Sequence, residues 1–261
     1  VGELADRRLR SGFAARVDRR RRGDERGERD HCRTISPRRR WLTTRVDPPG
    51  GIDTRLKQVK PNVFVVTDGI YQSAFVTTGK GVVLFDAPPS FADKLPAAVA
   101  EVTQEPIRQI VYSHAHLDHS GYLPLLTRNG YQGRVYCTEA TYELCKVLLP
   151  DSARLQEEEA EYANRKSFSK HKPALPLYTA KDAGNALARF KPVGFGKTFS
   201  VPGGLEARFL RAGHILGAAM IELTTPSGKV VFSGDLGRPN DLTMSDPDPV
   251  SQADYLIVES T

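Results

Sequence analysis

Ser113-His114-Ala115-His116-Leu117-Asp118-His119-Ser120-Gly121 is the stretch on which the reading of this chain turns. It sets three histidines and an aspartate within six residues, directly after the apolar run Ile110-Val111-Tyr112. Imidazole and carboxylate groups this dense would leave several polar atoms without partners if they were merely buried. A tight loop at a strand end gives them another use, because alternate side chains can turn towards two neighbouring points. His114 and His116 would share one point, Asp118 and His119 the other. Neutral imidazole nitrogens with a hard carboxylate and no thiolate are a donor set that suits Zn²⁺.

The runs upstream supply a scaffold. Val63-Phe64-Val65-Val66, Ser73-Ala74-Phe75-Val76 and Val82-Val83-Leu84-Phe85 are short and β-rich, with a Gly79-Lys80-Gly81 turn before the last and Asp86 at its end. They predict a meander of consecutive strands. A helix is expected over about 91–103, then the strand 110–112 that delivers the histidines. A helix closing at Asn129-Gly130, a strand at 134–137 and a helix from Glu139 to Leu149 follow. Residues 151–190 are charged and helical in part, with a Pro-broken loop at 173–176. Strand patterns return at 206–210, 218–223, 230–233 and 255–258, so the whole predicts a layered α/β sandwich.

The basic balance of the chain is confined to one end. Residues 1–50 hold 15 Arg, no Lys and 8 acidic residues, a balance of +7, whereas the remainder carries 22 basic and 23 acidic residues, or −1. Few apolar residues and the runs 19–22 and 38–40 of arginine predict a disordered, solvated extension over residues 1–52, and a single folded domain over 53–261. The net charge of +6 is therefore no sign of a basic face on the folded part. Cys32, Cys137 and Cys145 form no Cys-x-x-Cys pair, which argues against a disulfide framework or a thiolate metal site. No apolar run approaches the roughly 20 residues that span a bilayer, so a cytoplasmic protein without membrane contact is expected.

The His-x-His-x-Asp-His run resembles the metallo-β-lactamase superfamily, and the likeness extends over about residues 56–261. It implies an αββα sandwich, here incomplete at its C-terminus, and a metal set of His114, His116, Asp118, His119, His214 and Asp235. His214 lies in Ala212-Gly213-His214-Ile215-Leu216-Gly217, and Asp235 ends Val230-Val231-Phe232-Ser233-Gly234. Asp86 matches the aspartate that supports the ligand loop in that family. His171, between Lys170 and Lys172, reads as a solvated loop residue.

From residue 113 onward the chain looks like the β-CASP branch of RNA- and DNA-processing nucleases. His119-Ser120-Gly121-Tyr122-Leu123-Pro124, Gly133 to Thr138, Ala212 to Ala218 and Ser233 to Arg238 carry that likeness. In that branch Glu259, in Leu256-Ile257-Val258-Glu259-Ser260-Thr261, would be an acidic residue that supports a catalytic histidine. Residues 56–112 look more like compact single-domain hydrolases of the superfamily, so the two halves read as a chimera. The chain ends where a β-CASP domain would begin, and no histidine follows Asp235. One tightly held Zn²⁺ and a second, weaker one are the expectation.

The function implied is hydrolysis of RNA phosphodiesters by a zinc-activated water that Asp118 helps to orient, with single-stranded DNA as an alternative substrate. The features of residues 63–89 favour instead a small-molecule hydrolase acting on a β-lactam or thioester. The missing C-terminal histidines favour a catalytically silent nucleic-acid-binding fragment. A homo-oligomer is compatible with the sequence.

Overall fold

The computed structural model describes residues 42–43, 55–91 and 94–259. The extension expected over residues 1–52 lies, apart from 42 and 43, outside the described residues. The strands are β1 (Leu42–Thr43), β2 (Arg55–Lys60), β3 (Val63–Thr67), β4 (Gln72–Thr77), β5 (Val82–Phe85), β6 (Ile107–Val111) and β7 (Arg134–Cys137). They continue with β8 (Phe190–Pro192), β9 (Thr198–Val201), β10 (Leu205–Arg211), β11 (Ala219–Thr225), β12 (Gly228–Phe232) and β13 (Tyr255–Val258). The helices are α1 (Lys94–Val102), α2 (Leu117–Ser120), α3 (Leu123–Arg128), α4 (Glu139–Lys166) and α5 (Ala180–Leu187).

Two sheets result. One runs β2-β3-β4-β5-β6-β7-β8, the other β1-β13-β12-β11-β10-β9. The predicted meander is β3 to β5, which β2 extends as a further antiparallel strand, after which β5, β6, β7 and β8 pair in parallel. Parallel pairing needs long crossovers, and the helices α1 to α5 supply them.

The near-continuous apolar runs of β3 to β7 have a simple cause: these strands are covered on both faces. Alternate residues sort to opposite sides. Phe64, Val66, Phe75, Leu84, Ile110 and Tyr112 pack towards α1 and α3 with Leu95, Val99 and Leu123. Val63, Val65, Ala74, Val76, Phe85 and Val111 meet Phe209, Ile221, Leu223, Val230 and Phe232 of the second sheet. Stacked rings join the layers, Phe85 on Phe232 and Tyr136 on Phe199. Among the described residues helices cover only the seven-stranded sheet. The far face of the six-stranded sheet buries Ala212, Ala218, Met220 and Val231 beneath Leu236, Val250 and Ala253.

The sequence expectation of a helix ending at Leu149 is corrected: α4 runs 28 residues, straight through Pro150. Proline removes one helical hydrogen bond, but tertiary contacts override that loss. Ala153, Ala160 and Ala163 are buried beyond it. The segment after α4 folds back along the helix, with Asn164 bonded to both backbone groups of Ala174 and Tyr178 Oη donating to Ser152. Strands β2, β8 and β9 are additions. β2 is a charged edge strand, and β8 is three residues long with a proline at its end, so neither carries a clear apolar alternation. No helix among the described residues is long and apolar enough to cross a membrane.

Candidate metal centre

The ends of five strands meet at one edge of the sandwich. β5 leads to Asp86, β6 to Ser113 and the histidine run, β10 to the His214 loop, β12 to Asp235 and β13 to Glu259. The short helix α2 then swings Asp118 and His119 back over the same edge.

Three imidazole nitrogens converge there. His116 Nδ1 lies 3.2 Å from His114 Nε2 and 3.3 Å from His214 Nε2. Asp235 Oδ2 is 3.6 Å from both His114 Nε2 and His214 Nε2. Nitrogens held about 2.0–2.1 Å from a tetrahedral zinc stand about 3.3–3.4 Å apart, so the observed spacing fits such an ion. The second oxygen of Asp235 turns the other way, with Oδ1 3.2 Å from His119 Nε2. Asp118 Oδ2 stands 3.9 Å from that same nitrogen. One carboxylate therefore faces two groups of donors.

Behind these atoms lies a buried network that fixes which nitrogen points inward. Asp86 is fully buried, its backbone at φ 57°. Its Oδ1 accepts the Ser113 N–H at 2.7 Å, and its Oδ2 accepts the Ser113 hydroxyl at 2.6 Å and His119 Nδ1–H at 2.8 Å. Ser113 has given its one proton to Asp86, so it can only accept from His114 Nδ1, 3.0 Å away. Both His114 and His119 thus present Nε2 to the cleft, an orientation by outer hydrogen bonds typical of metal-binding histidines. Ser73 Oγ, bonded to the carbonyls of Phe85 and Asp86, holds the backbone bend.

The loops that carry His214 and Asp235 touch backbone to backbone. Gly237 N–H donates to Ala212 O at 2.8 Å, and a Cβ at 237 would run into the Gly213 carbonyl. Glycine is required there by contact, not by conformation.

Electrostatics separate the histidines. Burial, with His119 alongside, holds His114 well below the usual imidazole range, and burial with His214 nearby lowers His116. Both are neutral at pH 7, as ligands must be. For His119 burial works against the charge, yet hydrogen bonds to Asp235 and Asp86 lift it to about 10. Burial opposes ionisation of Asp235, but the His119 hydrogen bond outweighs it and holds this carboxyl below the usual carboxylate range.

Each residue singled out in the sequence can now be placed. His114, His116, His214 and Asp235 form one cluster able to hold a metal ion, and His119 adjoins it through Asp235. Asp118 sits at the rim, its side chain 41% exposed, beside His119. Asp86 lies behind His119 and holds it. The Glu259 carboxylate accepts the Leu236 N–H and its own N–H donates to Ser233 Oγ, bracing the turn that carries Asp235. His171 is exposed on the loop after α4, and Cys137 and Cys145 are buried free thiols, both as expected.

Sequence reasoning passed over Ser113, Ser73 and Tyr71. Ser113 was within the quoted run, and its place between a strand and a histidine was the available signal. Burial and the carboxylates of Asp118, Asp68 and Asp235 push the Tyr71 phenol up.

The family model for the Metallo-beta-lactamase superfamily matches residues 66–258. Ribonuclease TTHA0252 of Thermus thermophilus is 32% identical over 152 residues, 58% of this chain and 31% of that protein. Transcription termination factor FttA of Methanococcus maripaludis is 34% identical over 138 residues, 52% of this chain and 20% of that protein. The chain spans about a third or less of the length of these curated relatives. Among solved structures, a subclass B3 metallo-beta-lactamase of Bradyrhizobium japonicum aligns over 68% of this chain and 61% of its own, with 19% identity and a TM-score of 0.45.

Proposed function

This chain belongs to the metallo-beta-lactamase superfamily of metal-dependent hydrolases, and from that premise we propose that it is a zinc enzyme cleaving RNA phosphodiesters, of the β-CASP type. The observation that carries the reading is the carboxylate of Asp235, shared between the His114–His116–His214 cluster and His119. Such an arrangement would serve two ions, the first to be held by the three histidines and the second by Asp118 and His119. RNA as substrate is supported by the likeness to Ribonuclease TTHA0252. The metallo-β-lactamase-fold domain is taken as residues 53–261, a span supported by the family match over 66–258.

Zinc bound there supplies a Lewis acid and lowers the pKa of water towards about 7. The chain does the rest by placing groups. Ser113 and Asp86 aim His114 and His119, so the cleft is set before substrate arrives. Asp118, open to solvent beside His119, is free to orient the attacking water and accept its proton.

The test is zinc per chain by elemental analysis of protein purified without chelator, with cleavage of a labelled single-stranded RNA measured on the same sample. About two ions with cleavage is the expected result. Protein that holds zinc but leaves RNA intact would overturn the substrate. Protein that holds none would overturn the metal assignment as well.

A further inference from the structure

The His214 loop has no regular structure of its own, yet it must hold an imidazole to within tenths of an ångström. Its backbone is tied on two sides. Ala212 N–H donates to Ala218 O within the loop, and Ala219 N–H donates to Ser113 O across to the histidine run. Gly237 N–H donates to Ala212 O from the Asp235 side. A third hold comes from an element the catalytic chemistry does not otherwise use, the first turn of α4.

Thr138 is the N-cap of that helix, and its Oγ1 accepts the Thr141 N–H at 3.2 Å. This is ordinary capping. The hydroxyl proton of Thr138 points outward, however, to the Gly217 carbonyl at 2.6 Å. Thr141 Oγ1 donates to the same carbonyl at 3.0 Å. Both threonines are buried, 2% and 0% exposed, so these bonds are sheltered from water. Gly217 is at φ 82°, and a Cβ there would come 2.4 Å from Thr141 N. The loop thus seats a bare glycine against the helix N-terminus, with both lone pairs of its carbonyl filled.

We propose that Thr138 and Thr141 form a hydroxyl clamp that positions His214, so that α4 fixes the third histidine of the metal cluster. The proposal rests on the reading of His214 as a ligand. It makes both threonines positioning residues: neither touches the cluster, and each acts through the three-residue span from His214 to Gly217. The backbone of Thr141 remains capped by Thr138 whatever stands at 141, which separates the clamp from the cap. Thr141→Val removes one hydroxyl at nearly constant volume and leaves the helix start intact.

The experiment measures zinc affinity by competition with a chromophoric chelator, alongside the visible spectrum of the cobalt-substituted protein and the melting temperature of the metal-free protein. The full chain is used throughout. Thr141→Val should weaken zinc by about tenfold, the scale seen when groups behind metal ligands are removed, and should alter the cobalt spectrum. Thr141→Ser, which keeps the hydroxyl, should restore both to near the parent values. His214→Ala serves as the reference and should lose zinc more severely. If His214→Ala binds zinc as the parent does, the ligand reading fails and the clamp with it. If His214→Ala loses zinc while Thr141→Val keeps parental affinity and spectrum, the ligand stands and the clamp is wrong. A Thr141→Val protein whose affinity falls but is not restored by serine would likewise overturn the hydroxyl as the cause.

Discussion

At the scale of single residues the site depends on who holds each proton. Asp86 accepts three hydrogen bonds in a fully buried position, and through Nδ1 it commits His119 to offering Nε2. Asn in its place fits the left-handed backbone well and keeps the shape. Its amide nitrogen, however, is a donor where the carboxylate accepted. His119 Nδ1 must then accept, its proton moves to Nε2, and that nitrogen can no longer ligate. Asp86→Asn should therefore weaken the ion beside His119 by about 10–100-fold while the three-histidine cluster keeps its own. Elemental analysis should read about one zinc where about two are expected of the parent, and an unchanged count would refute this role. A simpler contrast tests the cluster itself. His116 Nδ1 is the nitrogen nearest both His114 and His214, whereas His171 lies exposed and remote. His116→Ala should strip zinc from the protein and His171→Ala should not; equal losses in the two variants would sink the assignment.

At the scale of elements the most informative feature is α4, which the sequence shows only in part. Pro150 lacks the N–H that would bond the carbonyl of Lys146, a defect in an otherwise continuous helix. Replacing it with alanine restores that bond but loosens the unfolded chain, so Pro150→Ala should raise stability by about 1–2 kcal/mol. A urea midpoint no higher than the parent's would mean the helix is strained elsewhere. The same helix shows what could be read in advance. The sequence shows it from Glu139 to Leu149, and tertiary contacts carry it on through Pro150. The histidine run was legible because metal ligation demands particular residue types at close spacing, and strands β3 to β7 because burial on both faces leaves long apolar runs. The holds of Thr138 and Thr141 on Gly217, or of Ser73 on Asp86, were not legible. They are single hydrogen bonds between distant segments, made by residues common in any loop. Glu259 shows the limit from the other side: its acidity was visible, but only its contact with Leu236 places it behind the Asp235 turn.

At the scale of the whole molecule the candidate centre sits across the seam between the two sheets. His114 and His116 follow the seven-stranded sheet, while His214 and Asp235 follow the six-stranded one. Between the sheets the core is apolar and continuous, through Phe85, Phe209, Ile221 and Phe232. At the site edge it gives way to imidazoles and carboxylates, His114 and His116 neutral and His119 held between Asp86 and Asp235. An ion bound there joins the layers and binds the folded chain far better than the unfolded one. At a free concentration of about 100 times its dissociation constant, it adds about 2.7 kcal/mol to stability. For a folded unit of this size that is worth roughly 5–10 °C in melting temperature. Removing the metal with a chelator should lower the transition by that amount, and returning zinc should restore it. His116→Ala should melt at the lower temperature with or without added zinc, because it lacks the ligand central to the cluster. A parent protein whose transition ignores the chelator would mean that no ion bridges the sheets. A His116→Ala protein that still gains stability from zinc would mean that an ion binds elsewhere.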